Sequence, residues 1–239
     1  MPKILNFVER EFFTDSCLKK VKRKKAFTLS EVLITLTIIG VVSAMTIPTL
    51  MRNHQKRVVE SRVLNFYSSM QNAIKLSTIE NGPIEGWAYD DNIFTFSSGL
   101  ATFEQNKAYI EKYLAPYIKI DEITDSGYSN KAMVKLRNGS SFLFNFQHDV
   151  LDADLVLVSF FLDGNRENRS TRNLFVFSMS PDRPFKPFDL GWNGKTRKDL
   201  FIHGSWGCGT GIWNGHDNPL YCTKLLELNS WRIPDDYPW

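Results

Sequence analysis

A single carboxylate lies within a long uncharged segment near the N-terminus. Glu31 is the one charged residue of residues 27–47, which otherwise carry apolar or small side chains. A carboxylate in the hydrocarbon core of a membrane costs at least about 2.5 kcal/mol unless it is paired, so such residues are functional by default. A buried anion and a buried ammonium are each costly alone, and an unmet charge drives a chain towards a partner that satisfies it. Glu31 is therefore a candidate functional residue.

The three cysteines divide between two regions of the chain. Cys17 lies in a basic N-terminal segment, whereas Cys208 and Cys222 lie fourteen positions apart in a region rich in Gly, Asn and Trp. An even pair of this kind forms a disulfide if the region faces an oxidising compartment. Closing a loop of that length stabilises a fold by about 3 kcal/mol in the chain-entropy model.

The same C-terminal region can be drawn as the centre of a cysteine protease, with His203, Cys208 and Asp217 as its triad. A cysteine with a partner cysteine in an exported domain is far more often disulfide-bonded. The four histidines lack the spacing of a metal-binding helix pair, and residues 207–211 lack the Lys and Ser/Thr of a phosphate-binding loop. The sequence therefore predicts that the protein is not an enzyme. It assigns no catalytic residue, no metal-binding residue and no cofactor.

A short segment between two predicted strands carries alternating oxygen-bearing side chains. Asp163, Asn165 and Glu167 follow one another at every second position, as in a calcium loop. Gly164 precedes Asn165, and the segment lacks the glycine placement and the final glutamate of an EF-hand. A plain β-turn and a calcium site both fit these residues, and the pattern favours the β-turn.

The uncharged segment is long enough to cross a membrane. Its 21 residues, 27–47, rise about 30 Å as a helix, which is the thickness of a bilayer core. Six basic residues lie between Lys19 and Lys25, immediately before it. The positive-inside rule then places the N-terminus in the cytoplasm and the chain after Pro48 outside.

Two ordinary interpretations of this segment are a secretory signal peptide cleaved after Ala44 and a simple signal anchor. Neither explains the carboxylate of Glu31. The basic charge is confined to this part of the chain, because residues 1–26 hold eight of the 29 Lys and Arg residues and three of the 26 Asp and Glu residues, leaving a formal charge of −2 on the rest. That balance disfavours nucleic acid as a partner.

Residues 24–33 read KKAFTLSEVL, a basic pair and a small residue followed by Phe-Thr-Leu and a glutamate in an apolar run. This junction resembles the leader junction of type IV pilins and of the pseudopilins of type II secretion systems. The resemblance implies that a prepilin peptidase cuts between Ala26 and Phe27 and methylates the new amine. Ala26 stands where the family usually has glycine. Glu31 would pair with the N-terminal amine of a neighbouring subunit, and Pro48 matches a helix-kinking proline.

The resemblance also implies a function and a set of partners. The chain would be a structural subunit of a type IV pilus or a type II secretion-like pseudopilus, first held in the inner membrane and then extracted into a cell-surface or periplasmic filament. Its partners would be copies of itself or sister pilins, the prepilin peptidase, and the assembly platform with its motor ATPase. The family parallel makes Cys208–Cys222 the disulfide. The alternative is a membrane-anchored surface protein that binds a ligand or an adhesion partner.

The residues after Pro48 change to an amphipathic helical pattern. Its apolar face is formed by Val59, Val63, Phe66, Met70, Ala73 and Ser77. Asn81, Gly82 and Pro83 supply a stop signal. We expect one long helix whose second half packs onto a globular head.

The remaining residues predict an α+β head. A helix is expected near residues 103–113, and four strands are expected at residues 132–136, 141–146, 155–161 and 173–179, the first two joined by a turn at Asn138 and Gly139. A long N-terminal helix on an antiparallel sheet also fits the pilin resemblance. The predicted organisation is a leader at 1–26, a membrane and filament-core helix at 27–48, its amphipathic second half at 49–82, and the head at 83–239.

Overall fold

The computed structural model describes residues 27–87, 90, 93–94, 99–150, 153–192, 196–201, 206–213 and 216–239. The chain forms two compact units, Met1–Thr49 and Leu50–Trp239. The predicted leader, residues 1–26, lies outside the described residues.

The first helix, α1, spans Leu29–Asn81 and runs through Pro48. It ends at the predicted stop signal, where Gly82 adopts a left-handed φ of 78°. Within the first unit its side chains are exposed, apart from the partly exposed Ser43. By length and composition this apolar segment could cross a membrane. Few polar groups interrupt this segment, so it is apolar on all sides. Its residue pattern therefore does not distinguish a helix buried in a protein core from a helix that faces lipid.

The second unit is built on an antiparallel sheet of seven strands. They are β1 (Gly99–Leu100), β2 (Ile120–Asp125), β3 (Ala132–Leu136), β4 (Ser141–Val150), β5 (Ala153–Phe161), β6 (Leu174–Ser180) and β7 (Arg183–Pro187). Strands β2 to β7 lie side by side in chain order. β3 pairs with the first residues of β4, at 141–144, and β1 pairs with residues 147–148 further along β4. The four predicted strands and the turn between the first two are confirmed, whereas β1, β2 and β7 were not predicted.

Smaller elements complete the head. Helix α2 (Phe103–Tyr113) occupies the predicted residues and begins with a capping box between Thr102 and Gln105. A two-stranded sheet of β8 (Gly209–Trp213) and β9 (His216–Asn218) precedes α3 (Cys222–Leu228). Short 3-10 helices span Ile84–Gly86 and Arg197–Leu200.

The core of the head lies between the second half of α1 and the sheet. All six residues of the predicted apolar face are buried, together with Ile74. Phe66 stacks on Phe160 with ring centroids 4.0 Å apart and also contacts the rings of Phe142 and Phe177. The predicted class, a long helix packed on an antiparallel sheet, is therefore correct.

Candidate functional site

The N-terminal end of α1 is closed by a capping box between Thr28 and Glu31. The backbone N–H and the hydroxyl of Thr28 donate to Glu31 Oε2 at 2.9 and 3.0 Å, and the N–H of Glu31 donates to Thr28 Oγ1 at 3.2 Å. Two backbone donors that the helix leaves open are satisfied in this way. This role of Thr28 and Glu31 was not predicted, although the spacing Thr-x-x-Glu is its signal.

The cap uses only one of the two carboxylate oxygens. Among the described residues, Glu31 Oε1 accepts no hydrogen bond, and the side chain is exposed. Phe27, the first described residue, has a side chain that is 84% exposed. The arrangement therefore leaves one carboxylate oxygen and one large apolar side chain available to a second molecule.

Cleavage after Ala26 and a helix kink at Pro48 were also predicted for this segment, and both stay predictions. Ala26 lies outside the described residues, so cleavage before Phe27 is untested by the fold. Pro48 lies inside α1, where its ring removes one backbone hydrogen bond of the helix. The expected kink at Pro48 likewise stays a prediction.

At the opposite end of the chain, Cys208 and Cys222 form a disulfide with an S–S distance of 2.09 Å. Both residues are fully buried, and the bond joins the start of the β8–β9 hairpin to the first residue of α3. This is the pairing that the resemblance implied. It removes the thiol that a protease triad would need, and His203 of that triad lies outside the described residues.

Aromatic residues lie close in sequence to both cysteines and pack against one another. Trp206 packs edge-on against Phe188 and Tyr221, at centroid distances of 5.7 and 6.4 Å. The hydroxyl of Tyr221 donates to the carbonyl of Leu190 at 2.6 Å. Burial, with a smaller contribution from the carboxylate of Asp189, raises the pKa of Tyr221 to about 12. These contacts are typical of core packing rather than of an adhesive surface.

The C-terminal tail is attached to the second half of α1 through Glu60. The backbone N–H of Ile233 donates to Glu60 Oε1 at 2.8 Å, and Arg232 donates to Glu60 Oε2 at 3.0 Å. The Trp231 ring lies 4.6 Å from the ring of Tyr67 on the same helix. This role of Glu60 was not predicted, because no local pattern relates residues more than 170 positions apart.

The loop between β5 and β6 forms a hydrogen-bonded turn. Asp163 Oδ1 accepts from the N–H of Asn165 at 2.9 Å, and Oδ2 accepts from the Asn168 amide at 2.7 Å. The Asn173 side chain accepts from the N–H of Asp163 at 2.8 Å. In the part of the chain that the structure describes, no three His, Cys, Asp or Glu side chains are grouped to hold a metal ion. The favoured turn interpretation accounts for these side chains.

Two protein families match this chain, in adjacent segments on either side of Pro48. Residues 21–47 match the Prokaryotic N-terminal methylation motif, and residues 49–239 match the Family of unknown function (DUF6613). No curated protein and no solved structure matches the chain. The methylation motif covers the junction and the apolar helix, and it supports a single-pass membrane anchor. The chain is a type IV pilin-like protein, and residues 49–239 place it in the family of unknown function DUF6613.

Proposed function

We propose that the protein is a structural subunit of a type IV pilus or of a type II secretion-like pseudopilus, cut after Ala26 and assembled through its N-terminal helix. The observation that carries this proposal is the match of residues 21–47 to the prokaryotic N-terminal methylation motif. Within that match lie the proposed new terminus at Phe27 and the carboxylate of Glu31.

The chemistry at the helix start supports assembly between subunits. Cleavage before Phe27 would create an amine four residues from Glu31. In a membrane the unsatisfied carboxylate and ammonium are each costly, and pairing between neighbouring subunits relieves both costs. The capping box leaves Oε1 of Glu31 free of hydrogen bonds from the described residues, so the cap and an intermolecular pair are compatible.

The predicted organisation of the chain follows from this proposal. Residues 1–26 are the cytoplasmic leader, 27–48 the membrane and filament-core segment, 49–82 the half-helix that carries the head, and 83–239 the exported head. The disulfide between Cys208 and Cys222 agrees with an oxidising compartment outside the cytoplasm. The role is structural rather than enzymatic.

The proposed partners come from the same resemblance. They are copies of the chain or sister pilins, the prepilin peptidase, and the inner-membrane assembly platform with its motor ATPase. The protein begins in the cytoplasmic membrane with its N-terminus inside and ends in a surface or periplasmic filament.

N-terminal mass spectrometry of the membrane-associated protein from its native cell tests the processing step. A chain that starts at Phe27 with an added methyl group supports the proposal. A start at Met45 identifies an ordinary secreted protein, and an intact Met1 identifies a plain anchored surface protein. Either of these two results removes the filament subunit.

A pair of variants tests the proposed role of the Glu31 charge. Glu31→Gln retains a residue that completes a capping box but removes the charge, whereas Thr28→Val removes the cap and retains the charge. We expect the Glu31→Gln variant to be cleaved before Phe27 but to be absent from filaments sheared off the cells. The Thr28→Val variant should be cleaved and should be present in those filaments. Filament incorporation is measured by immunoblot against total cell protein. Equal incorporation of Glu31→Gln and the wild type contradicts the pairing.

A further inference from the structure

A surface groove of about 500 Å³ lies between the second half of α1, residues 117–119 just before β2, and residues 136–138 at the end of β3 and in the turn that follows it. Its lining includes the almost completely buried Phe66 and the fully buried Met70 of α1, and the half-buried Ile118 and Leu136 supply the apolar surface of its floor. Phe66 and Met70 are also part of the buried core. The floor is therefore fixed by the fold, and its volume is in the range of natural ligand sites.

The rim of this groove is positively charged. Lys119 and Arg137 both line it and are exposed. The backbone N–H of Arg137 donates to the carbonyl of Lys119 at 3.4 Å, which holds the two residues side by side. Among the described residues neither side chain has a carboxylate partner. The carboxylate of Glu80 is engaged by the hydroxyl of Tyr117 at 2.6 Å.

The walls carry amide and hydroxyl groups. Asn65 and Ser69 on α1 are exposed and make no side-chain hydrogen bond to the described part of the chain. Asn138 uses its side-chain oxygen to accept from Ser140 at 2.6 Å, which leaves its amide N–H groups for another partner. Donors and acceptors along both walls match a peptide backbone, whereas a hydrocarbon chain would leave them without partners.

We propose that the groove binds an extended acidic peptide segment of another protein chain. An apolar side chain of that segment occupies the floor, and neighbouring carboxylates face Lys119 and Arg137. Charge complementarity selects the acidic partner, and the polar walls select a peptide over a fatty acid. This inference does not depend on processing or on filament assembly.

The test is fluorescence anisotropy with detergent-solubilised full-length protein. The probe is a fluorescein-labelled six-residue peptide with one phenylalanine and several glutamates, and its matched control has every glutamate replaced by glutamine. We expect the acidic peptide to bind at least about tenfold more tightly than the control. The double variant Lys119→Glu with Arg137→Glu should lose about the same factor, since each exposed pair contributes little alone.

Two further variants separate the groove from general charge effects. Ser69→Trp, at an exposed helix position, should fill the groove and abolish binding. Arg183→Glu reverses an exposed charge on β7, at the opposite edge of the sheet from β2, and should leave binding unchanged. Unchanged thermal unfolding of each variant shows that the head is folded.

Three results would overturn the proposal. The first is equal binding of the acidic peptide and its glutamine control. The second is binding that survives Ser69→Trp in a folded protein. The third is binding of dodecanoate that is lost in the Ser69→Trp variant, with no binding of the peptide to the wild type. That result would make the groove a fatty-acid site.

Discussion

The two halves of α1 have the same secondary structure but differ in the exposure of their apolar side chains. Side chains of the first half are exposed, including apolar ones such as Leu29 at 78%. In the second half, Val63 and Met70 are fully buried against the head. Helix geometry is therefore common to both halves, and the distribution of polar residues decides what each half contacts.

This difference indicates where the free energy of each half comes from. The second half gains stability from the burial of an apolar stripe inside its own chain. The first half has no such partner among the described residues, and by length and composition it could cross a membrane. Substitutions in the second half should affect the stability of the head, whereas substitutions in the first half should affect insertion and assembly.

The largest expected effect is that of Phe66→Ala. Phe66 stacks on Phe160 at 4.0 Å and is almost completely buried, so its truncation should lower the free energy of unfolding of the head by about 3–5 kcal/mol. Chemical denaturation of the solubilised full chain, followed by tryptophan fluorescence, measures this change. Ile39→Ala in the first half is the control and should leave the transition in place; equal losses for the two variants would remove the contrast between the halves.

The disulfide should have the next largest effect. Replacing both Cys208 and Cys222 by serine should lower the stability of the head by about 3 kcal/mol, because the closed loop restricts the unfolded chain. A reductant should lower the denaturation midpoint of the wild type but not that of the double variant. A wild-type midpoint that does not respond to full reduction would contradict the stabilising role.

A smaller loss is expected from Gly164→Ala. Gly164 has a φ of +74°, and an added Cβ would lie 2.6 Å from the carbonyl oxygen of Gly139. Backbone strain and this close contact should together cost about 1–3 kcal/mol. Gly139→Ala is the matched control, since it has a φ of +82° but nothing within 4 Å of the added Cβ. The difference between the two denaturation midpoints measures the contact, and identical midpoints would show that it carries no cost.

The smallest effect concerns the attachment of the tail to α1. Glu60→Gln keeps one acceptor oxygen for the N–H of Ile233 and weakens the contact with Arg232, so the loss should be about 1 kcal/mol. Hydrogen exchange should also become faster at residues 229–239, which distinguishes a released tail from a general loss of stability. Glu111→Gln, on the exposed side of α2, should change neither quantity.

The strands that the sequence predicted and those that it missed differ in their position in the sheet. β3 to β6 were predicted because their apolar residues are dense and turn signals separate them. β2 holds Ile120 and Ile123 three positions apart with a register shift between Ile120 and Glu122, so it shows no alternation. β7 contains two prolines, which usually argue against a strand and are tolerated here because β7 lies at the edge of the sheet.

The candidate site was predictable where the signal is local. Glu31 stands out as a charge in an apolar run, and the junction around Ala26 and Phe27 is a short motif. The attachment of Glu60 to Ile233 and Arg232 was not predictable, since it joins residues that only the folded head brings together.

The sequence by itself determined the anchor, the buried face of α1 and the four inner strands. Each of these depends on the type and spacing of residues that are neighbours along the chain, and such patterns can be recognised without a partner. The tertiary structure decided the edge strands, the docking of the C-terminal tail and the groove beside Lys119 and Arg137. These features arise where distant segments meet, and their energies depend on distances that no local pattern contains.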